Sequence, residues 1–229
     1  MSLRQTTRLP AESRITPFRF TAPLVTPRLT LRLFTLDDVE DSYAYQSRDD
    51  VTKYMLYNAL SRDEIIERIR IRLSTNGLAN DGDFLVLAIE LPATADAPAR
   101  VIGDVDIQLK SAANAQATIG WAMHPDFQGR GYAAEAAGAL LDLAFDTVGL
   151  HRVYAELDPR NAASAALCVR LGMRHEAHLV DELFFKGEWG DTDVYAVLDR
   201  EWAARSTAAA GRVGRDNPVG RVGRDNPVG

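Results

Sequence analysis

The segment QGRGYAAEA, residues 128–136, joins a strand-like run to a long helical run and places two glycines at the turn. The start of a helix leaves about four backbone N–H groups without intrahelical acceptors, and these groups and the helix dipole attract anions. Gly129 and Gly131 carry no side chain that would keep an anion from the backbone, and Arg130 adds a cation. Alone, the segment predicts either an anion cradle or a strand-to-helix turn without a ligand.

The spacing of these glycines narrows the class of ligand. The segment does not match the G-x-G-x-x-G pattern of dinucleotide-binding folds, and it lacks the Lys-Ser/Thr pair of a P-loop. A nucleoside triphosphate with magnesium is therefore disfavoured, whereas a pyrophosphate carried on a larger molecule fits the turn.

Hydrophobic periodicity predicts one mixed α/β domain over residues 27–202, with a mostly antiparallel sheet flanked by helices. Predicted strands cover residues 27–35, 83–91, 100–110, 115–125 and 151–158, and a closing hairpin covers residues 174–187 and 190–202 with its turn in GEWG. Predicted helices cover residues 35–46, 61–75, 132–149 and 161–172. The helical crossover between residues 115–125 and 151–158 predicts one parallel strand pair. In the helix 61–75, the spacing predicts a buried face of Ile65, Ile69 and Leu73.

The two ends of the chain carry little core-forming pattern. Residues 1–26 are predicted to be an N-terminal arm, and residues 203–229 a tail. The tail contains the nonamer RVGRDNPVG twice, at residues 212–220 and 221–229. Its composition favours a flexible tail. The alternative is a peptide that docks in the cleft of a neighbouring subunit, which would make the protein a homodimer.

Charge and cysteine content exclude several classes of function. The net charge of −6 argues against a general nucleic-acid or membrane-surface binder, and no apolar run reaches the roughly 18 residues of a membrane span. The N-terminus has no apolar segment typical of a secretory signal. Cys168 is the single cysteine, so no intrachain disulfide can form. These features predict a cytoplasmic protein.

The neighbours of the glycine turn resemble the GNAT superfamily of acetyl-CoA-dependent N-acyltransferases. The family signature, Gln or Arg-x-x-Gly-x-Gly or Ala, is matched by Gln128, Gly131 and Ala133. The longer stretches IGWAMHPDFQGRGYAAEAAGALLDLAF and DPRNAASAALCVRLGMRHEAHL are similar to the branch that includes the ribosomal-protein N-terminal alanine acetyltransferases. The resemblance covers about residues 27–202 and is strongest at 119–173.

The resemblance implies a fold and a cofactor site. It implies that acetyl-CoA lies in the gap of a splayed parallel strand pair, with its pyrophosphate on the backbone amides of residues 128–133, including those of Arg130 and Tyr132. The strand before the turn would offer backbone partners at Trp121, Ala122 and Met123 to the pantetheine. Asn161 would cap the next helix or bond a pantetheine amide. The chemistry requires no metal, and the four histidines lack a metal-ligand arrangement.

The helix after Asn161 supplies candidates for the acid that protonates the departing thiolate. Asn161, Ser164, Cys168 and Leu171 share one helical face by their spacing. Many family members have a Tyr where this chain has Cys168. In the resembled branch a serine at the position of Ser164 is the favoured substitute, so Ser164 is the first choice and Cys168 the second. For Cys168 the favoured interpretation is a small buried apolar residue.

The acceptor and the general base stay open at this stage. A carboxylate could deprotonate the amine, directly or through water, and Asp104, Asp106 and Glu156 are the candidates on predicted strands. Glu135 is interpreted as structural. The acceptor is a primary amine, for which a protein or peptide N-terminus is favoured. Alternatives are an aminoglycoside or polyamine, or a non-catalytic acyl-CoA-binding regulatory module.

Overall fold

The computed structural model describes residues 13–205 of the 229-residue chain. Eight strands form one twisted sheet in the order β2-β3-β5-β6-β7-β8-β10-β9, and β1 and β4 form a separate antiparallel pair. The strands are β1 Phe18–Arg19, β2 Leu24–Val25, β3 Thr30–Arg32, β4 Gly77–Leu78, β5 Phe84–Leu91, β6 Arg100–Ser111, β7 Gln116–Met123, β8 Arg152–Leu157, β9 Arg174–Phe185 and β10 Glu188–Leu198. The predicted class, a mixed and mostly antiparallel α/β domain, is confirmed.

Between residues 13 and 198 the chain forms five α-helices. They are α1 Val39–Gln46, α2 Asp49–Thr52, α3 Arg62–Ser74, α4 Tyr132–Asp142 and α5 Ala162–Arg170. Short 3₁₀ turns cover Leu36–Asp38 and Pro125–Phe127, and the last part of the predicted long helix, Leu143–Val148, is π-helical. Residues 199–205 form a further helical segment.

The single parallel pair, β7 with β8, determines where the fold opens. The two strands pair only at Gln116–Arg152, Ala117–Val153 and Thr118–Tyr154. Beyond those pairs β7 continues to Met123 and β8 to Leu157 without further pairing. A parallel pair requires a crossover connection, and α4 lies in the connection between β7 and β8. The sheet therefore contains a gap that begins after Thr118 and widens toward the start of α4.

The main core lies between the sheet and α4. Ala136, Ala137, Leu140 and Leu141 are fully buried on α4. Apolar residues from the central strands face them, and the alanines let the helix pack close to the sheet. The opposite face of the sheet is covered by α1 and α3, with Ile65 and Ile69 buried there in a second cluster.

The buried face of α3 differs from the prediction at one position. Ser61 and Glu64 form the expected capping box, and Ile65 and Ile69 are buried as expected. Leu73, however, is 43% exposed, and Arg72 is buried in its place. The reason is that Arg72 lies against Asp104 and over the ring of Phe34, which compensates for burying its charge.

Parts of the predicted termini pack into the domain. Within the predicted N-terminal arm, Ile15 and Phe20 are buried in the main core, and β1 pairs with β4. The predicted strand 27–35 is reduced to Thr30–Arg32. The turn of the final hairpin is Lys186–Gly187, with φ of 51° and 85°, and not GEWG. The duplicated nonamers lie outside the described residues.

Candidate functional site

The glycine turn presents a row of free backbone donors at the start of α4. Gly129 and Gly131 adopt left-handed φ values of 72° and 82°, and Gly131 is the N-cap of the helix. Within the described part of the chain, the N–H groups of residues 129–134 find no acceptor. The Gln128 N–H is already bound to the Pro125 carbonyl at 3.1 Å. The predicted amide cradle therefore begins at residue 129, and it fits a pyrophosphate.

The side chain of Gln128 connects this turn to the preceding strand. Its Nε2 donates to the Met123 carbonyl at 3.1 Å. Met123 is the last residue of β7, so this hydrogen bond fixes the distance between the open strand end and the amide cradle. The side chain of the signature glutamine thus connects the end of β7 to the turn.

A second contact, which sequence reasoning missed, holds the turn from the outside. Arg28 donates from Nη1 to the Arg130 carbonyl at 3.0 Å and from Nε to Glu135 Oε2 at 2.7 Å. Its guanidinium also lies 4.6 Å from the ring centre of Tyr132. Thr26 donates to Glu135 Oε1 at 2.6 Å. Although partial burial opposes it, these hydrogen bonds hold the pKa of the Glu135 carboxyl below its usual range.

We call this set, Thr26, Arg28 and Glu135, the turn clamp. Arg28 and Glu135 are 107 residues apart, so no local pattern joins them. The structural role predicted for Glu135 agrees with its contacts in the clamp. In the sequence, Arg28 is marked only as a charged residue directly before the alternating leucines of residues 29–33, which does not indicate its partner.

A cavity of about 470 Å³ runs from the amide cradle along the open side of β7. Nine of the ten residues predicted to bind the cofactor line it: Trp121, Ala122, Met123, Gln128, Gly129, Gly131, Tyr132, Ala133 and Asn161. The tenth, Arg130, directs its guanidinium toward the ring of Phe127, at 5.5 Å from the ring centre. We call this space the cofactor cavity.

Ser164 lies at the wall of the cofactor cavity in a defined orientation. Asn161 caps α5 by accepting from the Ser164 N–H at 3.1 Å. The Ser164 hydroxyl oxygen accepts from the Trp121 indole Nε1 at 3.2 Å. Because the hydroxyl acts as acceptor toward the indole, its own proton is available to a group in the cavity. The alternative expected for a helix serine, a bond to a carbonyl one turn back, is not the contact observed.

Cys168 is far less accessible than Ser164. It is fully buried in the main core and does not line the cofactor cavity. Burial raises the pKa of its thiol to about 12, which disfavours the thiolate. The favoured interpretation of Cys168 as a small core residue agrees with this environment.

A second cavity of about 390 Å³ opens on the α3 side of the sheet. It shares Met55, Trp121 and Ala122 with the cofactor cavity, so the two spaces meet across β7. Two of the candidate bases, Asp104 and Asp106, line it. We call it the acceptor-side cavity.

The two carboxylates in the acceptor-side cavity have different environments. Asp104 is buried and accepts from the Tyr45 hydroxyl at 2.5 Å and from Gln46 Nε2 at 3.2 Å, with Arg72 Nη2 at 3.5 Å. Asp106 is half-buried, and no residue between 13 and 205 donates a hydrogen bond to it. Burial, with the nearby charge of Asp104, raises the pKa of Asp106 to about 6.

The backbone opposite Asp106 is shaped to admit its carboxylate. Gly120 pairs with Asp106 across β6 and β7, and a Cβ at Gly120 would lie 2.6 Å from Asp106 Oδ2. Only glycine leaves the carboxylate this space next to Trp121 and Ala122, where the two cavities meet.

Glu156, the third candidate base, lies elsewhere. It is exposed on β8 and lines a separate cavity of about 260 Å³ between residues 53–56 and the β9–β10 hairpin. The structure thus brings Asp106 and Ser164 to opposite sides of one strand, while Glu156 faces a different space across the gap.

The open parallel pair and the amide cradle define an acyl-CoA-dependent transferase architecture. Residues 28–174 match the family model described as an acetyltransferase (GNAT) domain. The chain belongs to the GNAT acetyltransferase family and is an acetyl-CoA-dependent acyltransferase.

Individual relatives agree with this assignment. An uncharacterised N-acetyltransferase of Bacillus subtilis is 30% identical over 179 residues, which cover 78% of this chain and 98% of the relative. The ribosomal protein uS5 alanine N-acetyltransferase of Escherichia coli is 31% identical over 84 residues, 37% of this chain and 43% of the relative. A spermidine N-acetyltransferase from Vibrio cholerae, solved with CoA and spermine, has a TM-score of 0.65 at 22% identity and covers 78% of this chain and 99% of its own.

Across the described residues, no helix is long and apolar enough to span a bilayer, and no group of His, Cys, Asp and Glu side chains is arranged to hold a metal ion.

Proposed function

We propose that this chain transfers the acetyl group of acetyl-CoA to a primary amine by direct attack within a ternary complex, in the cytoplasm. The observation that carries the proposal is the meeting of the cofactor cavity and the acceptor-side cavity at Trp121 and Ala122. An amine in one cavity and a thioester in the other would meet at this strand without either leaving its site.

The cofactor supplies an acetyl thioester, and the residues of the chain hold it. The free amides of residues 129–133 bind the pyrophosphate, and the turn clamp keeps them in position. The unpaired edge of β7, at Trp121, Ala122 and Met123, bonds the pantetheine as an added strand would. Asn161 caps the start of α5 and lines the same cavity.

Asp106 is the group that takes the proton from the attacking amine. Its carboxylate has no hydrogen-bond partner among the described residues, faces the acceptor-side cavity, and titrates near pH 6. A base with a pKa slightly below the working pH is ionised and still accepts a proton effectively. Glu156, which faces another cavity, is the less suitable of the strand carboxylates.

Ser164 donates a proton to the departing sulfur. Its oxygen accepts a hydrogen bond from the Trp121 indole. No described residue accepts its hydroxyl proton, which is therefore free to point into the cavity. Cys168 is an unsuitable substitute because it lies in the core. Ser164 then acts from the cofactor cavity and Asp106 from the acceptor-side cavity, on opposite sides of β7. Protonation of the sulfur and deprotonation of the amine are thus carried out by separate groups.

For the acceptor, a peptide or protein N-terminus is the favoured class. An α-amine has a pKa of about 7.7–8.0 and needs little help to lose its proton, which suits a single weak base such as Asp106. The relative that acetylates the alanine of ribosomal protein uS5 supports this choice. A polyamine acceptor is the second candidate, on the basis of the spermidine N-acetyltransferase neighbour.

The test is thiol release from acetyl-CoA with a panel of peptides, polyamines and aminoglycosides. We expect Ser164→Ala to lower kcat with the best acceptor by about 10²-fold and to leave KM for acetyl-CoA nearly unchanged. Ser47→Ala, at the C-cap of α1 and outside both cavities, is the matched control and should keep full activity. If none of the amines in the panel causes thiol release, the proposed transferase activity is contradicted. If kcat is unaffected in Ser164→Ala, the proposed role of Ser164 as the acid is contradicted.

A further inference from the structure

The acceptor-side cavity contains two unpaired charges of opposite sign. Asp106 accepts no hydrogen bond, and Arg68 neither donates one nor forms an ion pair, as far as residues 13–205 are concerned. The Arg68 guanidinium instead lies over the ring of Tyr57, with its central carbon 4.0 Å from the ring centre. The two groups line one cavity of about 390 Å³ but are too far apart to form an ion pair with each other.

The remaining charges of this cavity are already compensated. Asp104 is held by Tyr45, Gln46 and Arg72, so its negative charge is not available to a ligand. Arg72 is 5% exposed, and its Nη1 has no partner in the described chain. What a ligand meets is therefore one free carboxylate and one free guanidinium, next to the Arg72–Asp104 ion pair.

Arg68 and Arg72 occupy successive turns of α3, four residues apart, and so face the cavity together. The ring of Tyr57 holds the guanidinium of Arg68 in place, and no described residue accepts from its N–H groups. These groups can therefore bind a carboxylate through two hydrogen bonds. The apolar walls, which include Met55, Phe84 and Val86, leave room for a side chain between the two charged ends.

We propose that the acceptor is an amine that also carries a carboxylate, with the amine at Asp106 and the carboxylate at Arg68. This rests on the proposed function and specifies its substrate class. A polyamine fits this cavity less well, because its second cation would approach the free guanidinium of Arg68. The carboxylate belongs either to a free amino acid or to an acidic residue near the N-terminus of a peptide.

Two matched acceptor pairs test the proposal and separate these sources. The first pair is L-phenylalanine and L-phenylalaninamide, in which a neutral amide replaces the carboxylate. Because the amide also lowers the pKa of the α-amine, the two are compared at equal concentrations of neutral amine. The second is a pair of tripeptide amides with aspartate or asparagine at the second position. KM and kcat/KM are measured for each with wild-type enzyme, Arg68→Gln and the control Arg70→Gln, whose side chain is 62% exposed on the outer face of α3.

We expect the carboxylate to raise kcat/KM about tenfold or more in one of the two pairs, because a charged hydrogen bond contributes that much binding. Arg68→Gln should abolish this preference through KM, and Arg70→Gln should keep it. KM for acetyl-CoA should stay constant in both variants. Equal kcat/KM within both pairs, a preference for spermidine, or a preference that survives in Arg68→Gln would overturn the proposal.

A binding measurement distinguishes this outcome from failure of the proposed function. If no amine is acetylated, the shift in unfolding temperature caused by each acceptor in the presence of saturating CoA is measured instead. A larger shift for the carboxylate-bearing member, lost in Arg68→Gln, supports the zwitterion site even without turnover. No difference within either pair contradicts the site itself.

Discussion

Asp106 is placed where a carboxylate is costly to ionise, and this has a measurable effect at the scale of one residue. Burial and Asp104 raise its pKa, while Arg72, Arg68 and Lys110 lower it, with a net value of about 6. Below pH 6 the base is protonated, so kcat/KM of the wild type should fall as the pH drops through 6. Asp106→Asn should lose roughly 10²-fold in kcat and lose this titration, as seen in pH–rate profiles.

The same substitution should make the folded protein more stable. The carboxyl ionises near 3.8 in the unfolded chain and near 6 in the folded one. As pH rises from about 4 to 6, the unfolded state loses its proton first, so the wild type loses stability that it does not regain above pH 6. Asp106→Asn should therefore be more stable by about 1–2 kcal/mol at pH 8, a figure reduced for partial solvent access. The difference should disappear only as the pH falls below 3.8, where the carboxyl is protonated in both states. A variant that is less stable at pH 8 would contradict the raised pKa.

At the scale of elements, the turn clamp connects the start of the sheet to the start of α4. Arg28 touches the Arg130 carbonyl, Glu135 and Tyr132. We expect Arg28→Met to raise KM for acetyl-CoA about tenfold with little change in kcat, because a looser turn binds the pyrophosphate less well. Glu135→Gln should act on the same contact, so the double variant should cost much less than the sum of the two.

The matched control for the clamp is the exposed ion pair of Arg62 with Glu40 on the other side of the domain. Arg62→Met should leave both kinetic constants near wild type. Additive effects of Arg28→Met and Glu135→Gln, or a loss confined to kcat, would contradict a role of the turn clamp in binding acetyl-CoA.

Elements were predictable where the signal is local. Ser61 with Glu64 and Asn161 with Ser164 are caps that lie within one turn, so α3 and α5 begin where the sequence indicates. Arg72 was missed because positions 72 and 73 fit the helical spacing from Ile65 equally well. The choice depended on Asp104, which lies on a strand about 30 residues away.

The site followed the same rule. The amide cradle is one continuous segment, so its residues were predictable as a group, and nine of the ten residues predicted to bind the cofactor line one cavity. Arg28, by contrast, reaches the turn through a contact 107 residues away in the chain. Asp106 was one of three strand carboxylates. What distinguishes it are long-range features: the hydrogen bonds that occupy Asp104, and the separate cavity that Glu156 lines.

At the scale of the whole molecule, acetyl-CoA should stabilise the folded chain by mass action. At 100 times its Kd the ligand adds about 2.7 kcal/mol, which raises Tm by several degrees in a scan. Gly131→Val should show no such shift, because its φ of 82° is a strained conformation for valine and a side chain would block the amide cradle. A full shift in this variant would contradict the cradle. The variant without ligand must still unfold cooperatively, which is checked by the same scan.

The short pairing of β7 with β8 also bears on how long such a protein survives in a cell. Five strands lie on one side of this junction and three on the other, and only three residue pairs join them directly. If acetyl-CoA lies in the gap, it bridges the two parts of the sheet and stabilises their junction. When acetyl-CoA is scarce, transient opening of this junction becomes more frequent, and proteases encounter unfolded chain more often. The amount of enzyme would then follow the supply of its own acetyl donor, without a dedicated regulator.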